Sequence, residues 1–204
     1  MKQQLINMLT LQDKMNTKVH ADWRSQNYAW YRAIWTECAE LLDHHGWKWW
    51  KAQTPDLPQI QLEIVDIWHF GLSILIVNNN DIQAISEEIC EQWSLEQPST
   101  TFPEAIESLA EHTLRTKHFS IPLFCKLMSL ADMDQDELYR QYIGKNVLNF
   151  FRQDNGYKEG SYIKVWNGKE DNEHLAEVIQ IVDPTASDFQ QQVYDQLSNR
   201  YPTI

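Results

Sequence analysis

Apolar residues recur at intervals of three and four positions along almost the whole chain, which is the period of an amphipathic helix. Turn and cap signals divide this pattern into separate helices. In the first part of the chain the predicted elements are an opening helix closing near Asn16, a helix over 28–44 stopped by Gly46, and a helix over about 59–77 that follows a loop containing Pro55 and Pro58.

The second part of the chain carries further start and stop signals. The predicted signals are Asp81 as a cap, Pro103 at a helix start, Asp134 and Glu137 opening a long helix that ends at 155–156, and Asp171 and Ser187 as caps of two last helices. Only residues 157–169 lack a helical pattern, and we expect a short irregular segment there, with an extended stretch and a turn at 167–168. The predicted class is therefore all-α, a helical bundle in a single catalytic domain spanning 1–204.

Composition narrows the function. The chain has 204 residues, an apolar share of 43% and a formal net charge of −12. This acidity argues against binding of nucleic acid polymers, because no broad cationic face is available to displace counterions from phosphates. A small phosphorylated substrate stays compatible with it if the positive charge is local or supplied by metal ions. The three cysteines lie in apolar, helix-like segments and are interpreted as reduced core residues.

Neither a signal peptide nor a membrane span is expected. The first residues lack an apolar region, and the longest apolar stretch, 64–77, is interrupted by Asp66 and His69 and is too short to cross a bilayer. We therefore expect a cytoplasmic protein without membrane contact.

The third predicted helix is apolar on nearly every side, as a buried central helix would be, yet it carries Glu63 and Asp66. These carboxylates are three residues apart and leave the same face, and Glu37 and Glu40 repeat the spacing on the second helix. Four carboxylates in one site cannot all stay ionised without cations, and hard divalent ions with oxygen ligands meet that need. In the alternative interpretation Glu37 and Glu40 face water, and Glu63 or Asp66 pairs with a basic side chain.

Positive charge gathers near the end of this acidic chain. Lys145, Asn149 and Arg152 line one face of a helix, and Lys158 and Lys164 follow in a segment punctuated by glycines. A guanidinium together with lysines suits a polyphosphate chain. By itself the cluster is more typical of a solvated helix face with an ordinary loop. The carboxylates and the cations together, however, fit one substrate, a magnesium-bound polyphosphate.

The residues around these motifs resemble the dimeric all-α dUTPases within the all-α nucleoside triphosphate pyrophosphohydrolases. The resemblance is carried by the tryptophan-rich stretches 30–40, 45–51 and 63–70, and by the run 145–175. It implies a homodimer that binds two or more Mg²⁺ ions per site and hydrolyses dUTP, and also dUDP, to dUMP, which limits uracil incorporation into DNA. The implied metal ligands are Glu37, Glu40, Glu63 and Asp66, and the implied phosphate contacts are Lys145, Arg152, Tyr157, Lys158 and Lys164.

The nucleoside contacts rest mainly on the same resemblance. It assigns them to Gln12 and Asn16, whose carboxamides can both donate and accept hydrogen bonds as an imide edge requires, and more weakly to Asn149 and Asn172. Seven of the nine tryptophans lie between Trp23 and Trp68, and they are interpreted either as a nucleoside pocket or as core and subunit interface. Of these aromatic side chains, Trp50 and Phe70 are assigned to the pocket. His69 is interpreted as a core histidine bonded to the backbone.

The expected mechanism is metal-assisted hydrolysis, in which Glu37 or Glu40 takes the proton of the attacking water. Three alternatives stay open at this point. They are another all-α pyrophosphohydrolase acting on dCTP or a damaged nucleotide, a di-iron helical protein, and a binding module without catalysis. Residues 80–132 carry no motif and are interpreted as a mobile cap or as part of the dimer contact.

Overall fold

The computed structural model describes residues 1–183, 186 and 188–202, and within them it shows nine α-helices and one small hairpin. The all-α class is therefore confirmed. The helices are α1 (Lys2–Val19), α2 (Trp30–His45), α3 (Leu57–Asn78), α4 (Ile82–Trp93), α5 (Phe102–Thr116), α6 (Ile121–Leu130), α7 (Gln135–Asp154), α8 (Asp171–Ile181) and α9 (Phe189–Arg200). The strands are β1 (Val165–Trp166) and β2 (Lys169–Glu170), and Trp23–Ser25 forms a single 3₁₀ turn.

Several predicted helix ends are confirmed by their caps. The Asp81 carboxylate accepts from the backbone N–H of Gln83 at 2.9 Å, and the Asp134 carboxylate accepts from that of Glu137 at 2.8 Å. Gly46 ends α2 with φ of 87°, a left-handed conformation that glycine adopts without strain. Short polar side chains and glycine thus fix these boundaries locally.

Other boundaries were predicted wrongly. Helix α1 continues three residues past Asn16, and α2 begins at Trp30, two residues later than expected. Pro58 lies in the first turn of α3 and not in the loop, since its missing N–H has no helical partner to lose there. Asp171 is the first residue of α8 and not its cap, because its carboxylate is bound to other side chains. Ser187 lies outside the described residues.

Helix α3 occupies the centre of the bundle. It packs against α1, α2, α4, α6, α7 and α8, which explains why apolar residues cover almost its whole circumference. Among the described residues, α3 is the one helix long and apolar enough to cross a membrane. It has 22 residues and is thus longer than the apolar stretch expected from the sequence. In its most apolar window 72% of the residues are buried inside the protein, which is the position of a core helix.

Residues 80–132 form α4, α5 and α6, and these helices pack onto the same core. Ile89, Leu109 and Phe124 are fully buried in the hydrophobic cluster that extends from α1 to α9. Helix α5 lies against α2, and α4 lies against α1. The interpretation of this region as a cap or a dimer contact stays a prediction.

The hairpin confirms the predicted extended stretch and turn. Val165 pairs with Glu170 and Trp166 with Lys169, around a turn in which Asn167 and Gly168 have φ of 49° and 81°. Trp166 is fully buried, and its indole N–H donates to the Ile163 carbonyl at 2.6 Å. This anchor brings the chain after α7 back onto the bundle before α8 begins.

Candidate active site

Three of the four predicted carboxylates meet where α2 packs on α3. Oxygen atoms of Glu37, Glu63 and Asp66 all lie within 4.8 Å of one another, and these residues are named here the three-carboxylate cluster. Glu63 is 4% exposed, and Glu37 and Asp66 are half-buried. Glu40 is exposed, one turn along α2 from Glu37, and lies outside this cluster.

The surroundings of the cluster disfavour the ionised form of its carboxyl groups. Burial raises the pKa of Glu37 to about 9, and the nearby carboxylates of Asp66 and Glu63 add to the effect. Burial and the Asp66 charge also raise the pKa of Glu63. Two basic side chains contact the cluster among the described residues: Lys145 Nζ lies 2.7 Å from Asp66, and His44 Nε2 lies 3.6 Å from Glu63. Closely spaced carboxylate oxygens with excess charge form a donor set that fits a hard divalent cation.

A cavity of about 370 Å³ opens beside two of these carboxylates. We name it the aromatic cavity, because tyrosine, tryptophan and phenylalanine rings form much of its wall. It is lined by Gln12, Met15, Asn16, Val19, Trp23, Tyr28, Trp30, Glu37, Asp66, His69, Phe70, Asn149, Arg152, Gln153 and Tyr157. Its walls therefore combine apolar surface with a few polar groups, as a pocket for a small ligand requires.

Buried carboxamides form the polar end of the aromatic cavity. Gln12 Nε2 donates to Asn16 Oδ1 and to Ser73 Oγ, both at 3.1 Å. The Gln12 Oε1 atom lies 2.6 Å from His69 Nδ1 and accepts from the Tyr142 hydroxyl at 3.0 Å. Gln12 and Asn16 are thus held in fixed orientations by side chains from α3 and α7.

The interpretation of His69 as bonded to the backbone was wrong, since its ring contacts the Gln12 side chain. Burial lowers the pKa of His69 to about 4, so the ring is neutral and Nδ1 donates to Gln12. Its Nε2 atom is buried and has no hydrogen-bond partner among the described residues. His69 thus lines the cavity as a neutral ring that orients Gln12.

Of the two aromatic residues assigned to a nucleoside pocket, the structure brings only one to the cavity. Phe70 lies on its wall beside Trp30, with ring centroids 6.2 Å apart. Trp50 is 57% exposed in the loop after α2 and makes edge contacts with Trp47 and Trp49 instead. A role for Trp50 stays a prediction that this single chain does not support.

A second cavity of about 410 Å³ is lined by the remaining member of the cluster, Glu63. We name it the acidic cavity, and it is lined by Glu40, His44, Asp56, Gln59, Glu63, Lys164, Glu170, Asn172 and Glu173. Glu37 and Asp66 face the aromatic cavity, whereas Glu40 and Glu63 face the acidic one. The four predicted carboxylates therefore stand along the wall that separates the two cavities.

The predicted phosphate contacts are divided between these places. Arg152 and Tyr157 line the aromatic cavity, with the guanidinium 5.7 Å from the Tyr157 ring centroid. Lys145 is 1% exposed and lies behind the cluster, since its ammonium contacts Asp66. Lys164 lines the acidic cavity, 2.9 Å from Glu170. Lys158 lines neither cavity and donates to the Val19 carbonyl at 2.9 Å.

The two asparagines in the same region also differ in position. Asn149 lines the aromatic cavity, and its Oδ1 accepts from Arg152 at 3.4 Å. Asn172 lines the acidic cavity, and its Oδ1 accepts from Lys145 at 2.8 Å and from Arg152 at 3.3 Å. Asn172 therefore joins the two basic residues that flank the cluster.

Some residues of the site were missed from the sequence. Ser73 and Tyr142 hold the carboxamides, and Asp171 binds Arg152. Tyr142 and Ser73 gave no signal, because isolated polar residues on apolar helices are routine. His69 did give one, since it follows Asp66 by three residues and so leaves the same face of α3.

Comparison with known protein families finds a match that covers most of the chain. A family model described as dUTPase matches residues 4–157 of this chain. The matched part contains the three-carboxylate cluster and the aromatic cavity, whereas Lys158, Lys164 and Asn172 follow it. No curated protein matches the chain.

Proposed function

This chain belongs to the dUTPase family, and from that premise we propose that it is a magnesium-dependent enzyme whose reaction takes place at the three-carboxylate cluster. A dUTPase is a dUTP diphosphatase, so the substrate is a small nucleotide. The products from dUTP are dUMP and pyrophosphate. We extend the proposal to dUDP, which would yield dUMP and phosphate.

One observation carries the proposal. The cluster stands between a cavity of aromatic and carboxamide side chains and a cavity of charged ones. A nucleotide has the same division, with an apolar, hydrogen-bonding base at one end and a polyphosphate at the other. We therefore assign the nucleoside to the aromatic cavity, with its phosphates extending past the cluster towards the acidic cavity.

The residues that would hold Mg²⁺ are Glu37, Glu63 and Asp66, with Glu40 available to a further ion on the acidic side. Bound there, Mg²⁺ would supply positive charge to offset the phosphates and would lower the pKa of a water molecule. The raised pKa of Glu37 supports such an arrangement, because burial and the neighbouring carboxylates both disfavour its ionised form when no cation is near.

The protein's own groups supply the remaining chemistry. Glu37 or Glu40 takes the proton of the attacking water, from the aromatic or the acidic side of the wall respectively. Arg152 and Lys145 offset negative charge that grows on the phosphates during bond cleavage. Lys164, Tyr157 and Lys158 are proposed to complete the phosphate contacts.

The base and sugar are read inside the aromatic cavity. Gln12 holds the Asn16 carboxamide in a fixed orientation, Asn16 offers the remaining N–H and lone pair of that amide, and Phe70 offers a ring face. A site whose polar groups are held in place rejects a base with the wrong donor and acceptor pattern, because those groups would lose their partners. Asn149 and Asn172 are proposed as further contacts, at the sugar and the phosphates. A cytoplasmic homodimer with one catalytic domain per chain completes the proposal.

A pyrophosphate-release assay on dUTP, dCTP, dTTP, dATP, dGTP and UTP tests this assignment. We expect turnover of dUTP far above that of the other nucleotides, in the presence of Mg²⁺. Turnover of another nucleotide would overturn the reading of Gln12 and Asn16 while keeping the cluster. Absence of turnover with all of them would contradict the proposed reaction.

A further inference from the structure

Asp171 is a fully buried carboxylate that accepts three side-chain hydrogen bonds. Arg152 donates to it twice, from Nε to Oδ2 at 2.7 Å and from Nη2 to Oδ1 at 2.9 Å, and the Tyr162 hydroxyl donates to Oδ2 at 2.9 Å. Its backbone N–H donates to the Lys164 carbonyl at 3.0 Å. A single carboxylate thus joins the end of α7, the segment that follows it and the start of α8.

The groups that Asp171 holds border the substrate site. Arg152 lines the aromatic cavity, and Lys164 lines the acidic cavity. Between them, residues 155–164 leave α7 through Gly156, whose φ of 86° turns the chain, and return to the hairpin. Asp171 itself lines neither cavity among the described residues, so its influence on a ligand passes through its partners.

We propose that Asp171 is a positioning residue of the nucleotide site, which fixes the Arg152 guanidinium and the 155–164 segment relative to the three-carboxylate cluster. This inference rests on the proposed function, because it takes Arg152 as a phosphate contact. Asp171 acts on the substrate through Arg152 and Tyr162 and does not touch it.

The hydrogen bonds of Arg152 show what this fixation achieves. Four of its five N–H groups are engaged in the described part of the chain, by Asp171 twice, by Asn149 and by Asn172. One N–H on Nη1 stays available to a ligand. A guanidinium held in this way presents its donor in one orientation, so that little side-chain entropy is lost when a phosphate binds.

The charge state of the pair is also fixed. Burial alone would raise the pKa of Asp171, but the hydrogen bonds and the charge of Arg152 outweigh it and hold the pKa below its ordinary value. The carboxylate is therefore ionised at neutral pH. Removing the Asp171 charge makes the net charge around Arg152 more positive but weakens the hold on its guanidinium. The proposal requires that, for phosphate binding, this loss of orientation outweighs the gain in positive charge.

A purely structural ion pair would behave differently from a positioning residue. Removing a purely structural pair would lower the stability of the contact between α7 and α8 without changing the affinity of the folded protein for nucleotide. A matched pair for this comparison lies on the same helix, where Arg140 donates to Glu137 at 2.6 and 2.9 Å away from both cavities. Glu137→Gln should lower the unfolding midpoint and leave the KM for dUTP unchanged.

The test measures kcat and KM for dUTP in Asp171→Asn, Arg152→Ala and the double variant. We expect Asp171→Asn to raise KM about tenfold with kcat within about threefold of wild type, since a held charge-assisted contact is lost from ground-state binding. In the Arg152→Ala background, the same change should alter KM by no more than about threefold, because only the contact of Asp171 with Tyr162 is then left to lose.

The outcomes separate this inference from the proposed function. If Arg152→Ala raises KM but Asp171→Asn leaves it unchanged or lowers it, the positioning role is overturned and the active site stands. If the increases in KM from the two single changes combine in full in the double variant, the positioning role would also be overturned. If Arg152→Ala leaves KM unchanged, the phosphate contact itself fails, and both proposals lose Arg152. If Asp171→Asn does not fold, Tyr162→Phe tests the inference in its place, since it removes one of the hydrogen bonds to Asp171. KM should then rise about threefold if the inference holds and stay unchanged if it does not.

Discussion

Glu37→Gln should stabilise the metal-free protein while it removes activity. The change replaces a carboxyl group that burial and two neighbouring carboxylates force to keep its proton. A glutamine amide can donate the same hydrogen bond to Glu63 without needing that proton. The variant thereby relieves the charge conflict that, on the proposed function, Mg²⁺ relieves in the working enzyme.

The magnitude follows from the two pKa values of Glu37, an ordinary 4.5 in the unfolded chain and about 9 in the folded one. Because the folded value is raised, the contribution to stability is fully present below the unfolded pKa and is lost as pH rises through the folded pKa. Each pH unit above 4.5 removes about 1.4 kcal/mol, so about 3 kcal/mol is lost by pH 7. Side-chain relaxation and water entry reduce this figure, and we expect Glu37→Gln to regain about 1–3 kcal/mol at neutral pH.

The assay is urea unfolding followed by far-ultraviolet circular dichroism in EDTA, at about pH 5 and about pH 8. The free energy of unfolding of the wild type should fall between these conditions by more than that of Glu37→Gln. Glu40→Gln is the matched control, since Glu40 is exposed outside the cluster, and it should change stability by less than about 0.5 kcal/mol. Adding Mg²⁺ should favour the wild type, because an ion that binds only the folded state stabilises it. Parallel pH dependence of wild type and Glu37→Gln would refute the reasoning.

The remaining predictions concern metal binding, base recognition and packing. Glu63→Gln, which removes a second member of the cluster, should lower kcat for dUTP by on the order of 100-fold or more with unchanged helix content, and near-normal turnover would remove Glu63 from the metal site. Gln12→Ala, which deprives His69 of its partner, should reduce the preference for dUTP over dCTP at least about tenfold in kcat/KM; an unchanged ratio would place base recognition elsewhere. Gly71→Ala would put a Cβ atom 2.6 Å from Phe119 Cε1. It should lower the free energy of unfolding in urea by about 1–3 kcal/mol, and an unchanged value would mean that the ring can move aside.

The sequence specified the helices better than it specified the direction in which their side chains point. Asp81, Asp134 and Gly46 mark helix ends through contacts with residues within a few positions, so their effect can be read locally. The i, i+3 spacing of Glu37 and Glu40 is equally local and predicted a common face. Their separation into a clustered and an exposed carboxylate depends on how α2 is rotated against α3, which is a property of the packed pair.

Contacts between distant segments were the hardest to foresee. Trp50 belongs to the loop between α2 and α3, whose path is set by its own indole contacts and not by a periodic pattern. Asp171 had a plausible local use as a helix cap, and only the return of the chain through the hairpin brings it to Arg152, 19 residues earlier. His69 and Gln12 are likewise 57 residues apart. Residue types and spacing predicted carboxylates that cluster, three of the four at one place, whereas the side chains around them depend on tertiary packing.

On the proposed function, the three-carboxylate cluster is a magnesium site at which dUTP is hydrolysed. The most direct test is the rate of pyrophosphate release from dUTP by EDTA-treated wild-type protein, measured while Mg²⁺ is added back. The account predicts negligible turnover without the ion and a saturable rise as it is restored. Full turnover in EDTA, or none at saturating Mg²⁺, would contradict it.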